Sequence, residues 1–319
     1  MAARISEAQV RRTVDRLTVL QADPPAQARA ALAALSLPPS PGILFSVASV
    51  LEKHPLVEAH DPLVAAYIAV EADRKKLDSG GALRAAILKA LRRVAGPVDL
   101  PLVLRAAATY EVTPNGPAAL ELRAEAAITL VDLRPDTAAL VAARLLAEAP
   151  DPAVTARQTG EPAVTAARVL GAIGRYEALY MAATLDWNAP SEVIAECIRQ
   201  LAAAPQLVFP SLVQRFAACT DDAINAALVD LLVAGEERGQ DAEADIVHWL
   251  RTVSLDVYQF AIASLVASRR PDLHAVAANL VGEEFRRDRL TVAAEALANA
   301  RGSQPLLEAR ATVRDRLDS

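Results

Sequence analysis

Aromatic side chains make up only 4 % of this 319-residue chain, and it has just two cysteines and four histidines. A sheet protein draws on β-branched and aromatic residues, so an interior built of alanine and leucine within a 53 % hydrophobic total favours helices. Cys197 and Cys219 suit a reducing compartment, and Cys197 occupies a small-residue core position, which reads as packing. His54 and His60 are too far apart for one helix face, and His248 and His274 fall in different segments, so no metal site is expected. The chain also has no Walker-type loop, dinucleotide glycine fingerprint, His-Glu-x-x-His, Cys-x-x-Cys or Gly-x-Ser-x-Gly. No cofactor and no catalytic constellation is expected.

Excess positive charge is missing as well. A net charge of −6 and a pI near 5.4 argue against broad nucleic-acid binding, which shows as a basic face. The longest uncharged run, Ala30 to Leu51, is broken by Pro38, Pro39 and Pro41 into pieces well short of the roughly 20 residues that span a bilayer. Charges throughout Met1–Leu20 leave no apolar segment of signal-peptide type, so a cytoplasmic protein without a membrane partner is expected.

What the chain does have is a repeat. Leu91, Leu130, Leu170, Leu201, Leu231, Leu265 and Leu297 are spaced by 39, 40, 31, 30, 34 and 32 residues, the length of a two-helix unit. Four residues before each leucine stand Ile87, Ala126, Ala166, Cys197, Ala227, Ala261 and Ala293, six of them small. With the apolar residues three before, they form one stripe of helical period, and small residues there let neighbouring helices approach closely. Nine before the leucine come Ala82, Glu121, Glu161, Glu192, Asp222, Asp256 and Asp288, six of them acids that meet the positive end of the helix dipole. Four to six after it comes a proline or glycine (97, 135, 174, 205, 235, 271, 302) that ends the helix.

A second helical pattern follows each stop, over Leu100–Tyr110, Asp136–Ala149, Arg175–Leu185, Leu207–Cys219, Ala242–Thr252, Leu273–Phe285 and Pro305–Leu317. The predicted fold is therefore all-α, an α-α superhelix of about seven helical hairpins over residues 79–319. Residues 1–78 are helical in pattern but out of register, with Ser6–Leu20, Pro25–Leu37, Gly42–Lys53 and a helix from Asp61 to about Leu77; they read as an irregular cap with degenerate repeats. Two insertions, around 112–117 and 151–160, are expected to project from the edge at repeat junctions.

Glu-Pro-x-Val-x-x-Ala-x-x-Leu-Gly-x-Ile-Gly at 161–174, with Leu83-Arg84-x-Ala86 and Leu122-Arg123 at two other helix starts, resembles HEAT repeats, including the short bacterial variety. The resemblance covers about residues 79–317 and implies an α-solenoid.

Positions two, five and nine before the leucine lie about 180° from it on a helical wheel and should line the face presented by the first helices. Early in the array this line is mixed and expected to be well solvated: Lys89, Glu125, Arg168, Glu196 and Arg199. In the last three repeats it holds Ala226, Val229, Phe260, Ala263 and Val292, bordered by Asp222, Asp256, Asp288 and Glu295. Exposed, such a strip would be a groove for an amphipathic helix or basic peptide; alternatively, curvature buries it between helices, and Trp187 and Trp249 read as packing residues.

The function expected on these grounds is a non-catalytic scaffold that binds another protein or peptide, with its site in the C-terminal half. HEAT-like proteins also include enzymes, so the alternative is a DNA alkylation-repair glycosylase-like or bilin lyase-like protein. A glycosylase needs a basic face, for which only Lys89, Arg92 and Arg93, joined by Arg168 and Arg199, are candidates.

Overall fold

The computed structural model describes residues 5–319 apart from 115, 157–158, 186–187, 206–207, 236–242, 299 and 301. The described residues are helical, with nineteen α-helices and one two-stranded ribbon. None of these helices is long and apolar enough to cross a membrane. The chain forms two compact units, Met1–Val169 and Leu170–Ser319.

The first unit begins with α1 (Glu7–Val19), α2 (Pro24–Ala34), α3 (Pro41–Lys53), α4 (His60–Ala72) and the single turn α5 (Arg74–Leu77). It continues with α6 (Ala82–Arg92), α7 (Leu100–Ala107), the ribbon β1 (Glu111–Thr113) and β2 (Gly116–Ala118), α8 (Leu120–Leu133) and α9 (Pro135–Ala147). The next helix, α10 (Ala163–Ala172), carries the division. The second unit holds α11 (Tyr176–Thr184), α12 (Ser191–Arg199), α13 (Val208–Arg215), α14 (Asp222–Ala234) and α15 (Glu243–Thr252). It ends with α16 (Leu255–Ala267), α17 (Pro271–Gly282), α18 (Arg287–Leu297) and α19 (Gln304–Asp318).

Packing follows an alternation. In the first unit α1 lies on α3, α3 on α6 and α6 on α8, while α2 packs on α3 and α9 on α8. In the second, α12, α14, α16 and α18 pack in succession, and α15, α17 and α19 do the same on the other side of their hairpins. All seven spaced leucines are buried, as is every residue four before them. Where that residue is alanine the side chain fills almost no space, so adjacent helices can close toward the short end of the roughly 8–10 Å range.

The ends of the helices explain why the chain turns where it does. Gly174 and Gly302 adopt left-handed backbone angles (φ 70° and 74°), and Arg175 N donates to Leu170 O (2.9 Å), closing the last turn of α10. Pro135 and Pro271 are themselves the first residues of the next helices, since a proline's missing N–H is no loss there. Glu121, Glu192, Asp222, Asp256 and Asp288 do stand in first turns, but neighbours make several of the capping hydrogen bonds. Asp221 accepts from Ala223 N and Ile224 N, and Ser254 accepts from Val257 N.

Arginine joins successive hairpins. All four lysines lie between 53 and 89, and the other 29 basic residues are arginines. Arg144 donates to Ala107 O (2.7 Å), Arg270 to Leu232 O (3.2 Å) and Arg316 to Gly282 O (2.7 Å) and Glu284 O (2.6 Å). Arg289, 1 % exposed, gives hydrogen bonds to Leu250 O (3.3 Å), Arg251 O (3.0 Å) and Val253 O and lies over the Tyr258 ring. Each guanidinium reaches back 32 to 39 residues to carbonyls left free at a helix C-terminus. A planar fork with five donors suits that geometry; an ammonium does not.

Both insertions are anchored at their bases rather than projecting freely. Ala119 N donates to Gly80 O (2.8 Å), and a Cβ on Gly81, whose φ is +81°, would sit 2.9 Å from Ala119 Cα, so only glycine fits. Glu111 in β1 accepts from the fully buried Arg84 (2.7 Å), whose Nε donates to Asp78 (2.7 Å). In the second insertion Thr155 is buried and donates to Glu148 O (3.1 Å), while Val154 O accepts from Arg123. The reason is common to both: Arg84 and Arg123 are buried charges, and the inserted segments supply their acceptors.

Candidate functional site

The strip singled out near the C-terminus lies on α14, α16 and α18, three helices packed side by side within the second unit. Asp222, Asp256 and Asp288 open these helices and are all exposed. Phe260 is 39 % exposed, Ala263 is exposed, and Ala226 and Val292 are half-buried. Val229 is not part of the surface, being 0 % exposed. The wheel places it opposite Leu231, but α14 is held between α12 and α16 and is apolar around most of its circumference, so that side is covered too. The equivalent position is open on α16, where it holds Ala263, and on α18, where it holds Glu295.

Asp288 is bound by Arg286 (2.8 Å), whose hydrogen bond holds its carboxyl below the usual range. Asp222 and Asp256 have no ion-pair partner among the described residues. The face therefore offers one aromatic ring among small side chains, with two uncommitted carboxylates along the end where the helices begin.

The mixed line earlier in the array is not well solvated throughout. Glu125 and Glu196 are buried. Basic side chains on and beside this line pair with carboxylates: Lys89 with Glu52 (3.2 Å), Arg92 with Glu125 (3.2 Å), and Arg199 with Asp230 (2.8 Å) and Glu196 (3.6 Å). Burial pushes the Glu125 carboxyl up to about 7, in spite of Arg92 and Lys89.

No family model matches the chain, and no curated protein matches it.

The nucleophile and ligand candidates resolve as structure. Cys197 is fully buried, and burial raises its thiol to about 12, so it is a packing residue with no thiolate to offer. Trp249 is buried, its Nε1 donating to Asn225 Oδ1 (3.2 Å), whereas Trp187 lies outside the described residues. Among the described residues no group of three His, Cys, Asp or Glu side chains could hold a metal ion.

One polar constellation was missed from sequence. His60, at the start of α4, sets Nδ1 against Asp61 (2.6 Å) and Nε2 against Asp99 (2.9 Å), and Asp99 also accepts from Gly96 N (2.8 Å). A neutral imidazole can donate from one nitrogen only, so two facing carboxylates favour the cation; those hydrogen bonds, Asp99 first, raise its pKa. Thirty-nine residues separate His60 from Asp99, and nothing local marks the pair.

Proposed function

We propose that the chain is a non-catalytic scaffold that holds a basic amphipathic segment of another protein on the face of α14, α16 and α18. The observation carrying this reading is Phe260, a large ring left 39 % exposed among small residues on packed helices, beside Asp222 and Asp256, which have no ion-pair partner among the described residues. An apolar ring gives such a segment an anchor, and the carboxylates select cationic flanks and speed their encounter. Lys89, Arg92 and Arg199, which a nucleic-acid reading would need free, each sit within ion-pair distance of a carboxylate. That favours a protein partner over a phosphate backbone.

The array itself is read as HEAT-like, a run of stacked hairpins of α-solenoid type. Its support is the spacing of the buried leucines, the alternation of packed helices and the arginines that tie one hairpin to the next. The same alternation of packed helices begins at α1 and α2, so the hairpin series extends into the region before residue 79. The free thiols Cys197 and Cys219 accord with a cytoplasmic setting.

Selection of a random-peptide display library on the intact chain tests the face. The expected binders are helical, carry net positive charge, and lose binding to Phe260→Asp, a variant whose circular dichroism matches the wild type. Enrichment of acidic peptides, or binders indifferent to Phe260→Asp, would overturn the assignment.

A further inference from the structure

The second unit also contains a cleft that the interaction face does not use. Its first helices α12, α14 and α16 pack without a break, and α15, α17 and α19 pack in succession on the other side, but α13 and α15 are not closely packed on each other. Between them opens a cleft of about 630 Å³. That volume falls in the roughly 300–1,000 Å³ range of small-molecule sites.

The walls of the cleft differ in chemistry from its rim. Phe209, Val213 and Trp249 line it with apolar surface and are themselves buried. The Trp249 N–H is spent on Asn225, whose own amide donates to Cys219 O (3.0 Å), so the indole is fixed and its polar edge is turned away. Gln214 on α13 and Asp245 and His248 on α15 are exposed at the opening, and none of these side chains is hydrogen-bonded to another described residue. Asp245 and His248 are three residues apart, which places them on one side of α15, facing the same opening. Among the described residues, no lysine or arginine lines the cleft.

These features select a ligand class. An anion would meet the Asp245 carboxylate with no cation among the described lining residues to compensate it. A neutral apolar molecule would leave the three polar side chains unused. We infer that the cleft binds a small amphiphilic amine, its apolar body against Phe209, Val213 and Trp249 and its ammonium at Asp245, with Gln214 and His248 as further acceptors. A protonated amine gains a charge-assisted hydrogen bond there, and the fixed indole needs no reordering to receive the body. The inference is independent of the scaffold reading, since it concerns other helices and another kind of ligand.

Tryptamine, indole and indole-3-propionate, one ring with a cationic, absent or anionic tail, are the probes. Each is titrated into the full-length chain while the Trp249 indole resonance and the backbone amides of α13 and α15 are followed by NMR. Tryptamine is expected to give saturable shifts confined to those helices, indole weaker ones, and indole-3-propionate none. Asp245→Asn, an exposed change, should weaken tryptamine by about tenfold and leave indole within about twofold. Equal binding of the anion, shifts centred elsewhere, or an Asp245→Asn variant that binds tryptamine like the wild type would each overturn the assignment.

Discussion

A carboxylate beside an arginine can still be hard to ionise, and Glu125 is such a case, since burial raises it from an ordinary 4.5 to about 7 despite Arg92 at 3.2 Å. The folded state therefore holds this proton more tightly than the unfolded one, and stability is lost as pH rises from about 4.5 to about 7. Glu125→Gln removes that loss. The variant should be more stable than the wild type in urea at pH 8, with the difference shrinking toward pH 4; a gap independent of pH would contradict this. His60 acts in the same direction over a higher window. With its pKa raised above 6.5, its contribution is complete below that value and disappears as pH climbs through the raised one. His60→Asn should accordingly cost more stability at pH 5.5 than at pH 8, and an imidazole titration at or below 6.5 would refute the two-carboxylate arrangement. Neither group was visible beforehand: a glutamate on the polar side of a helical wheel reads as solvated, and His60 meets Asp99 only through the fold.

Among the elements, the helices were legible because proline and glycine punctuate them. α9, α11, α15, α17 and α19 begin and end within a few residues of the expected places. Val229 was misplaced because a wheel knows one helix axis and not the neighbours on either side. The anchoring of the insertions was not legible for a related reason, as the sequence shows their turn residues but not the buried guanidinium each one meets. Glu111 makes that dependence measurable. Although it stands in a three-residue strand of an exposed ribbon, it accepts from Arg84, which is 1 % exposed. Glu111→Ala should lower stability by about 1–3 kcal/mol, the cost of leaving a buried charged donor short of an acceptor. Val112→Ala, one position along and 74 % exposed, should change it by less than about 0.5 kcal/mol. Equal effects would mean that the ribbon does not serve Arg84.

Across the molecule, one packing solution recurs in both units: a buried leucine, a small residue one turn before it, and an arginine from a later hairpin on the free carbonyls. The leucine and the small residue could be read from spacing alone, because each is a local property of one helix. The arginines could not, because their partners lie about a repeat away. If the stripe of small residues is the shared interface, enlarging any of its alanines must disturb the same kind of contact wherever it occurs. The most direct test is urea unfolding of Ala126→Leu, Ala227→Leu, Ala261→Leu and Ala293→Leu, all at 0 % exposed positions, with Ala263→Leu on the open face as control. Repeated close packing predicts that each of the four loses about 1–3 kcal/mol and the control almost none. Two or more of the four behaving like the control would contradict it.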